Sequence, residues 1–433
     1  MAIFNSGNNS FQTHNKTLFE TVMLADQYGN RVGAANPTGV AVDAFGRSRV
    51  STPLTLFDSS HRFHDNGLWA TSNTSTATYG HNANAGLITL NLDTTADAEI
   101  VRETTKVMSY QPGKSLQILN TFVMNTPKTN LRQRVGYFGA KNGIYLELSG
   151  NTLYWVERSL SNNSVNETRV AQSDWNMDTL LGDGPSHITL DITKAQIQFI
   201  DVEWLGLGTV RCGFVIDGQL IHTHSFHHAN LIDATYMTTG SLPVRYEIKN
   251  TGTTASNSTL KQVCTSVISE GGYELRGAQH AVGTPITLPR DCPSANTFYP
   301  IISIRLNPEK NDGIVILTAL SMLGVGNNSR FNWQVITNGS ITGASWVNAT
   351  STSCVQYDLS GSAITGGRTL ASGFLTSTTQ SSASVDILKE ALFKFQLERD
   401  SLANTSYPIT LAVSSAGAGD DVLATLDWEE ISR

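Results

Sequence analysis

The chain has 433 residues, of which 40% are hydrophobic and only 15% are charged, and its formal net charge is −7. The charged share is well below the roughly 25% of ordinary soluble domains, so Asn, Ser, Thr and Gly must supply much of the polar surface. An acidic balance without a run of Lys and Arg excludes the electrostatic pattern of nucleic-acid binding, and no apolar run is long enough to span a bilayer.

The first 50 residues predict an extended arm. They are rich in Asn, Gly and Ala, and they lack the basic and apolar segments of a secretory signal. Such a segment buries too little apolar surface to order itself without a partner. One short helix is expected within the arm, over residues 18–27, with Thr17 as its N-cap.

From residue 51 to residue 278 the pattern changes to short runs in which apolar and polar residues alternate. The expected strands are 86–93, 115–124, 134–138, 144–148, 152–158, 187–192, 196–204, 209–216 and 219–224. Asn142-Gly143, Gly150-Asn151 and Asp217-Gly218 are typical turns of β-hairpins. Closely spaced strands with tight turns predict a lectin-like or jelly-roll β-sandwich.

Residues 275–293 contain prolines and glycines without a regular period, which predicts a domain boundary, placed at 278/279. A second β-sandwich is expected over 279–433, with strands at 298–306, 313–323, 331–336, 409–413 and 422–429. Residues 385–399 carry apolar side chains at about helical spacing and predict one helix, although Phe393, Phe395 and Leu397 also alternate as in a strand. The predicted fold class is therefore mainly β, with two sandwiches after an arm.

The sequence contains no cofactor motif. Residues 111–115 end like a phosphate-binding loop, but Met108 stands where that loop requires glycine. Four cysteines are far apart and include no C-x-x-C pair, so we interpret them as reduced thiols that behave as small core residues: Cys212, Cys264, Cys292 and Cys354. Reduced thiols fit assembly inside a cell.

A histidine cluster is a candidate metal site. His222 and His224 are two residues apart, so on a strand they would project from one face, and His227 and His228 follow in the next loop. This spacing suits a divalent transition metal, with an oxygen ligand such as Asp233. The alternative is that the imidazoles line a polar face or a subunit seam and bind no metal.

Aromatic residues give a second candidate site, since the apolar face of a sugar stacks on aromatic rings, although buried cores use the same residues. Tyr154 and Trp155 are adjacent in a predicted strand, so one is expected to face the core and the other to face outward as a glycan contact. No paired acid and base and no hydrolase motif are visible, so no enzyme is predicted. A depolymerase with two carboxylates from distant strands is the remaining enzymatic alternative.

The segment VDAFGRSRVSTPLTLFDSS, residues 42–60, closely resembles a stretch found in structural proteins of marine tailed bacteriophages such as cyanophages. The likeness continues through IVRETTKVMSYQPGKSLQILNTFVMN, TNLRQRVGYFG and LKQVCTSVISEGGYE, to residue 274. This resemblance implies a virion component of the tail, baseplate or fibre, assembled in the host bacterial cytoplasm. It implies no catalytic motif.

An arm that a partner orders, followed by rigid sandwiches, fits this implication. Ordering the arm costs about 1–2 kcal/mol per residue, which a large interface must offset. We expect Phe45 to be an apolar anchor of that interface and Arg47 and Arg49 to pair with acceptors on the partner.

The predicted function is that of a structural virion protein. Its expected partners are other virion proteins and further copies of itself, with a trimer suggested by the way fibres are built. The alternatives are a receptor- or glycan-binding module for a host surface glycan, and a capsid decoration protein.

Overall fold

The computed structural model describes residues 11–14, 17–20, 53–74, 76–161, 163–326, 329–377 and 395–432. The chain divides after Thr52 into two units, Met1–Thr52 and Pro53–Arg433. In the first unit, strands β1 (Phe11–His14) and β2 (Thr17–Glu20) pair antiparallel. The helix predicted over residues 18–27 is therefore wrong at residues 18–20, and the rest of it lies outside the described residues.

A first set of strands belongs to the N-terminal part of the second unit. They are β3 (Leu54–Ser60), β4 (Trp69–Asn73), β5 (Thr78–Asn82), β6 (Leu87–Leu92), β7 (Glu99–Thr104), β8 (Ser115–Val123), β9 (Leu131–Phe138), β10 (Gly143–Ser149), β11 (Thr152–Ser159), β12 (Asn166–Ala171), β13 (Gln196–Val202), β14 (Val210–Ile216), β15 (Gln219–Phe226), β16 (Val244–Asn250) and β17 (Ser258–Glu270). A 3-10 turn over Gln172–Asp174 follows β12.

These strands form two antiparallel sheets. The seven-stranded sheet has the order β12-β11-β10-β9-β16-β7-β4, and the eight-stranded sheet has the order β15-β14-β13-β8-β17-β6-β5, with β3 also paired to β17. The burial of β6 and β8 alternates residue by residue, as it must when one face of a strand meets a core.

One hydrophobic core draws on both sheets. Val135, Leu146 and Trp155 enter it from the seven-stranded sheet, and Ile118 and Ile200 from the eight-stranded sheet. All five are fully buried, and each large apolar side chain contributes about 1.5–3 kcal/mol by leaving water. The N-terminal part is thus a β-sandwich.

A second set of strands follows. They are β18 (Ala278–Gly283), β19 (Arg290–Cys292), β20 (Tyr299–Leu306), β21 (Ile314–Val325), β22 (Arg330–Thr337), β23 (Ser340–Thr342), β24 (Val347–Asn348), β25 (Val355–Asp358), β26 (Ala363–Thr365), β27 (Arg368–Thr376), β28 (Glu398–Asp400), β29 (Thr405–Tyr407), β30 (Ile409–Ser415) and β31 (Asp420–Ser432). A 3-10 turn over Pro308–Lys310 lies between β20 and β21.

Two sheets again enclose a core. A six-stranded sheet has the order β24-β25-β20-β30-β22-β27, and in a four-stranded sheet β31 pairs with β18, β19 and β21. Side chains such as Ile304, Val335, Leu411 and Trp428 are buried between them. The predicted mainly-β fold with sandwich domains is confirmed.

The two cores divide between Tyr273 and Val282, and the predicted boundary at 278/279 falls in this interval. The sandwiches nevertheless belong to one compact unit. The backbone N–H of Arg399 donates to the carbonyl of Thr105 at 2.9 Å, and Gln396 Nε2 donates to the carbonyl of Val107 at 2.8 Å. The segment before and including β28 thus joins the C-terminal part to the loop after β7.

Two further sequence predictions differ from the structure. Residues 187–192 form no strand, only a single bridge between Leu181 and Thr189, and both Leu180 and His187 have positive φ. The helix predicted over 385–399 lies mostly outside the described residues, and at its end Glu398–Asp400 form strand β28. Within the described parts of the chain there is no helix long and apolar enough to cross a membrane.

Candidate functional site

The two predicted glycan contacts lie on opposite faces of β11. Trp155 is fully buried, and its indole N–H donates to Thr223 Oγ1 at 2.9 Å inside the first core. As expected, one of the pair faces the core: the alternation of the strand turns the Trp155 ring inward, so Trp155 is not a surface glycan contact. Tyr154 faces outward and is half-buried, with the guanidinium of Arg169 at 4.3 Å from its ring centroid. Tyr154 stays a predicted glycan contact.

The histidines on β15 do not share one face. A register shift leaves Thr223 as an extra residue, so that His222 lies opposite Gly213 and His224 lies opposite Cys212. A bulge of this kind breaks the two-residue alternation on which the metal prediction rested. His222 Nε2 instead contacts Ser225 Oγ at 2.9 Å.

The other two histidines also have protein partners. His228 lies between the carbonyl of Gly208 and Glu157 Oε2, each at 2.7 Å, and its ring stacks on Tyr236. Burial opposes its protonation, but the hydrogen bond and charge of Glu157 prevail and raise the pKa of His228. His227 is exposed, 3.4 Å from Thr209 Oγ1.

These contacts leave the metal prediction without support. Across the described ranges, no three His, Cys, Asp or Glu side chains are arranged to hold a metal ion. The predicted docking residues Phe45, Arg47 and Arg49 lie outside the described residues.

The outer face of the seven-stranded sheet carries charges that sequence analysis overlooked. We call these residues the charged layer: Arg132, Arg134, Glu147, Arg158, Glu167, Arg169 and Glu247. The pattern can be seen in β9, LRQRVGYF, where Arg132, Arg134, Gly136 and Phe138 alternate with residues of the core face.

Register explains how the layer pairs. Arg134 lies directly opposite Glu147 on one neighbouring strand and opposite Glu247 on the other. Its Nε donates to Glu147 Oε2 at 2.5 Å, and its Nη1 donates to Glu247 Oε1 at 3.2 Å. Arg169 also pairs with Glu147, and Arg132 with Glu247. The result is a row of alternating charge across the sheet.

Two carboxylates of this layer, Glu247 and Glu167, favour their ionised form. Burial acts to raise the pKa of Glu247, but Arg134, Arg132 and Arg245 outweigh it and hold the pKa below its usual value. Burial likewise opposes ionisation of Glu167, and hydrogen bonds from Arg158 and Tyr145 lower its pKa. These groups can fix charge and geometry but are poor proton donors near neutral pH.

At one end of this face lies a polar cleft of about 610 Å³ between the two sandwiches. Its first wall is the β9–β10 hairpin loop, residues 139–142, together with residues 238–245. Its second wall comes from residues 311–312 and 399–402 of the C-terminal part. The sequence had marked Asn142-Gly143 as the hairpin turn; the hairpin is confirmed, but Gly143 pairs with Phe138 and the loop is residues 139–142.

Buried ion pairs fix one side of the cleft. Arg245 Nε donates to Glu103 Oε2 at 2.8 Å, and Arg399 Nη2 lies 3.0 Å from Glu103 Oε1. Arg399 also donates to the carbonyl of Thr104 and to Asp312 Oδ1, each at 3.1 Å. The side chains of Glu103, Arg245 and Arg399 are at most 9% exposed, whereas Asp312 is 69% exposed at the rim.

The rest of the lining combines hydroxyl and amide groups with apolar residues, and Lys141 is exposed on the hairpin loop. The apolar residues are Ala140, Leu160, Leu242, Pro243 and Leu402. The polar lining residues besides the ion pairs are Lys141, Asn142, Thr238, Thr239, Ser241, Asn311 and Ser401. Asn142 Nδ2 donates to Thr238 Oγ1 at 2.8 Å, which ties the hairpin loop to the neighbouring wall. Such a surface suits a small ligand rich in hydrogen-bonding groups.

No protein-family model matches the chain, and no curated protein matches it. Among solved structures it is similar to a carbohydrate esterase from Shiga toxin-encoding bacteriophage phi24B, with 12% identity and a TM-score of 0.30 over 51% of this chain and 100% of that chain. It is also similar to the Emp47p carbohydrate recognition domain, with 11% identity and a TM-score of 0.31 over 54% and 100%. A third is a botulinum neurotoxin type G receptor binding domain, with 12% identity and a TM-score of 0.29 over 58% and 57%. Scores this low carry no functional argument, so function must be argued from this chain's own residues.

Proposed function

We propose that this chain is a binding protein that recognises carbohydrate in the polar cleft between its two sandwiches. The observation that carries the proposal is the cleft itself. Its volume of about 610 Å³ lies within the range of about 300–1,000 Å³ of small-molecule sites. Hydroxyl and amide groups line it, and buried ion pairs hold its walls in place, so a polyhydroxylated ligand would meet preformed partners.

We propose binding without turnover. A glycosidase needs one carboxylic acid to donate a proton and a second carboxylate to act as base or nucleophile. The two carboxylates that line this cleft, Glu103 and Asp312, both pair with Arg399, and Glu103 also accepts from Arg245 and Ser401. Both oxygens of Glu103 are occupied by these partners, and Asp312 bonds to Arg399 through Oδ1 at the exposed rim. Release of reducing ends from polysaccharide by the purified chain would contradict this part of the proposal.

An obstructing side chain tests the site. Ala140 is exposed and lines the cleft, so Ala140→Trp places an indole in it without disturbing a core. On a glycan array and in titration calorimetry, the parent chain should bind at least one glycan, and Ala140→Trp should abolish that binding.

A matched control exists on the other face of the sandwich. Ala195 is also exposed and lines a separate cavity of about 510 Å³ at the eight-stranded sheet. Ala195→Trp should leave binding unchanged. Loss of binding in Ala195→Trp but not in Ala140→Trp would place the binding site in the cavity at the eight-stranded sheet instead of the cleft. If the parent chain binds no glycan, the proposed carbohydrate-binding function is overturned.

We further propose that the chain is a structural component of a tailed bacteriophage particle, in the tail, baseplate or fibre. The resemblance carried by residues 42–60 and the later segments supports this, as does the fusion of two sandwiches into one stiff body through Glu103 and Arg399. Its partners would be other virion proteins and further copies of itself. If it belongs to a fibre, the expected oligomer is a trimer. A capsid decoration protein is the alternative placement.

Mass spectrometry of purified particles tests the placement. The chain should be present in mature particles at a fixed copy number, and light scattering should show an oligomer in solution. Its absence from the particles would refute the structural role without bearing on carbohydrate binding.

A further inference from the structure

The cleft carries more positive than negative charge. Three cationic residues line it, Lys141, Arg245 and Arg399. Two carboxylates, Glu103 and Asp312, also line it, which leaves one formal positive charge. Both carboxylates are already paired with arginine. Lys141 is exposed and forms no ion pair with any residue that the structure describes.

The lining also lacks the groups on which neutral sugars stack. No Trp, Tyr or Phe is among the described residues that line the cleft. A neutral sugar would therefore gain hydrogen bonds but little stacking. A ligand with a negative charge would gain a charge-assisted bond to Lys141, which is about twice as strong as a neutral one.

We propose that the ligand is an acidic sugar whose carboxylate binds Lys141 while its hydroxyl groups bind the Thr, Ser and Asn side chains of the cleft. This inference rests on the proposed function and adds the class of ligand. Arg245 lies beside the same wall: its Nε and Nη2 are used by Glu103, and Nη1 has no hydrogen-bond partner in the described part of the chain. Because Arg245 also lines the cleft, we take its Nη1 as a second donor for the same carboxylate.

The test compares acids with their esters. Galacturonate and sialate oligosaccharides and their methyl esters differ in charge but hardly in shape. In titration calorimetry the full chain should bind at least one of the acids about tenfold more tightly than its ester, the contribution of one charge-assisted contact. Raising the ionic strength should weaken binding of the acid and leave the ester unaffected.

Matched lysine variants locate the contact. Lys141→Met should weaken binding of the acid about tenfold and leave the ester unchanged, and Lys141→Glu should weaken the acid further. Lys194→Met, at an exposed position on the other cavity, should change neither. Because both lysines are exposed on loops, all variants should keep the parent melting temperature.

The outcomes separate the two proposals. Equal affinity for acid and ester, or an acid affinity that Lys141→Met does not change, would overturn the acidic-sugar inference and leave carbohydrate binding standing. Absence of binding to every glycan of either class would overturn both.

Discussion

Charge is buried in this protein at positions where strand register brings opposite signs together. Glu147 is fully buried and bonds to Arg134, which also bonds to Glu247. Aromatic rings pack against these charges. The Arg134 guanidinium is 5.2 Å from the ring centroid of Tyr145, and the Tyr145 and Phe138 ring centroids are 4.3 Å apart. Removing one partner of such a pair leaves a charge without water or counter-charge, which costs more than the pair itself contributes.

The variant Glu147→Gln should therefore lower the free energy of unfolding by about 3–5 kcal/mol, because Arg134 and Arg169 both lose their shared carboxylate. The control is Glu203→Gln, since Glu203 is 47% exposed in its pair with Arg211. That change should cost less than about 1 kcal/mol. Urea titration measures both, and equal losses in the two variants would contradict the buried-pair explanation.

A buried histidine makes stability depend on pH. His61 is fully buried, its ring nitrogens have no partner in the described part of the chain, and burial together with Arg102 lowers its pKa from 6.5 to about 4. Between pH 6.5 and 4 the unfolded chain binds a proton there that the folded chain does not. Stability therefore falls as the pH falls through this window, by up to roughly 3 kcal/mol.

The variant His61→Phe should flatten that loss, measured by urea unfolding at several pH values between 7.5 and 4.5 (roughly the window of the shift). Some pH dependence of stability should remain in His61→Phe, because burial also lowers the pKa of His224 to about 4. His187→Asn, at an exposed residue with positive φ, should leave the profile unchanged. A profile identical in parent and His61→Phe would rule His61 out as the source.

Hairpin turns show which elements local sequence determines. Ile216 pairs directly with Gln219, so Asp217-Gly218 is a two-residue turn, and both residues have positive φ, 51° and 77°. That is the geometry in which Asp-Gly is favoured, because glycine has no Cβ to crowd the following carbonyl. Gly150-Asn151 is also a two-residue turn, closing the β10–β11 hairpin with Ser149 opposite Thr152, but there only Gly150 has a positive φ, of 59°.

The variant Gly218→Ala should destabilise the protein by about 1–2 kcal/mol, since alanine is strained at this φ although the space around it is open. Gly80→Ala is the matched control: the space there is also open, and Gly80 does not have a positive φ. It should change stability by less than about 0.5 kcal/mol or increase it. Similar destabilisation by both changes would show that the turn's φ is not the cause.

Local patterns predicted 14 strands, of which 13 are present, but fewer than half of the strands that the structure describes were among them. The patterns failed where distant contacts decide. Residues 187–192 alternate like a strand, yet only Thr189 has a bridge partner. The segment therefore pairs with no strand of either sheet. The bulge at Thr223 is a property of a strand pair and cannot be read from β15 alone.

The site was predictable only in part. Alternating charges in β9 and β10 were a visible signal of a polar outer face, and Arg134 and Glu147 could have been found from it. The cleft could not be predicted from sequence, because Glu103 and Arg399 come from opposite halves of the sequence and meet only when both sandwiches have folded.

At the scale of the whole unit, two cores are held together by polar contacts rather than by a shared apolar interior. Glu103 accepts from Arg245 of the first sandwich and pairs with Arg399 of the C-terminal part. Glu398 Oε2 accepts from Thr105 Oγ1 at 2.9 Å beside it. All these carboxylates and arginines are buried, so the junction is ordered and specific.

The variant Arg399→Met should uncouple the two sandwiches, because Glu103 keeps only Arg245 and Ser401 and the carbonyl of Thr104 loses its donor. Calorimetry should then resolve two unfolding transitions where the parent shows one. Arg330→Met is the control, at an exposed arginine that forms no ion pair with the described residues. A single unchanged transition in Arg399→Met would mean that other contacts couple the cores.

The same junction has a mechanical consequence. Because β28 is joined to the loop after β7 by backbone and side-chain bonds, tension applied to the C-terminal sandwich reaches the first one along short, parallel routes as well as through the connecting peptide. Several such bonds loaded together yield at a higher force than any one loaded in turn. Two sandwiches joined in this way should transmit a pull from one to the other with little extension.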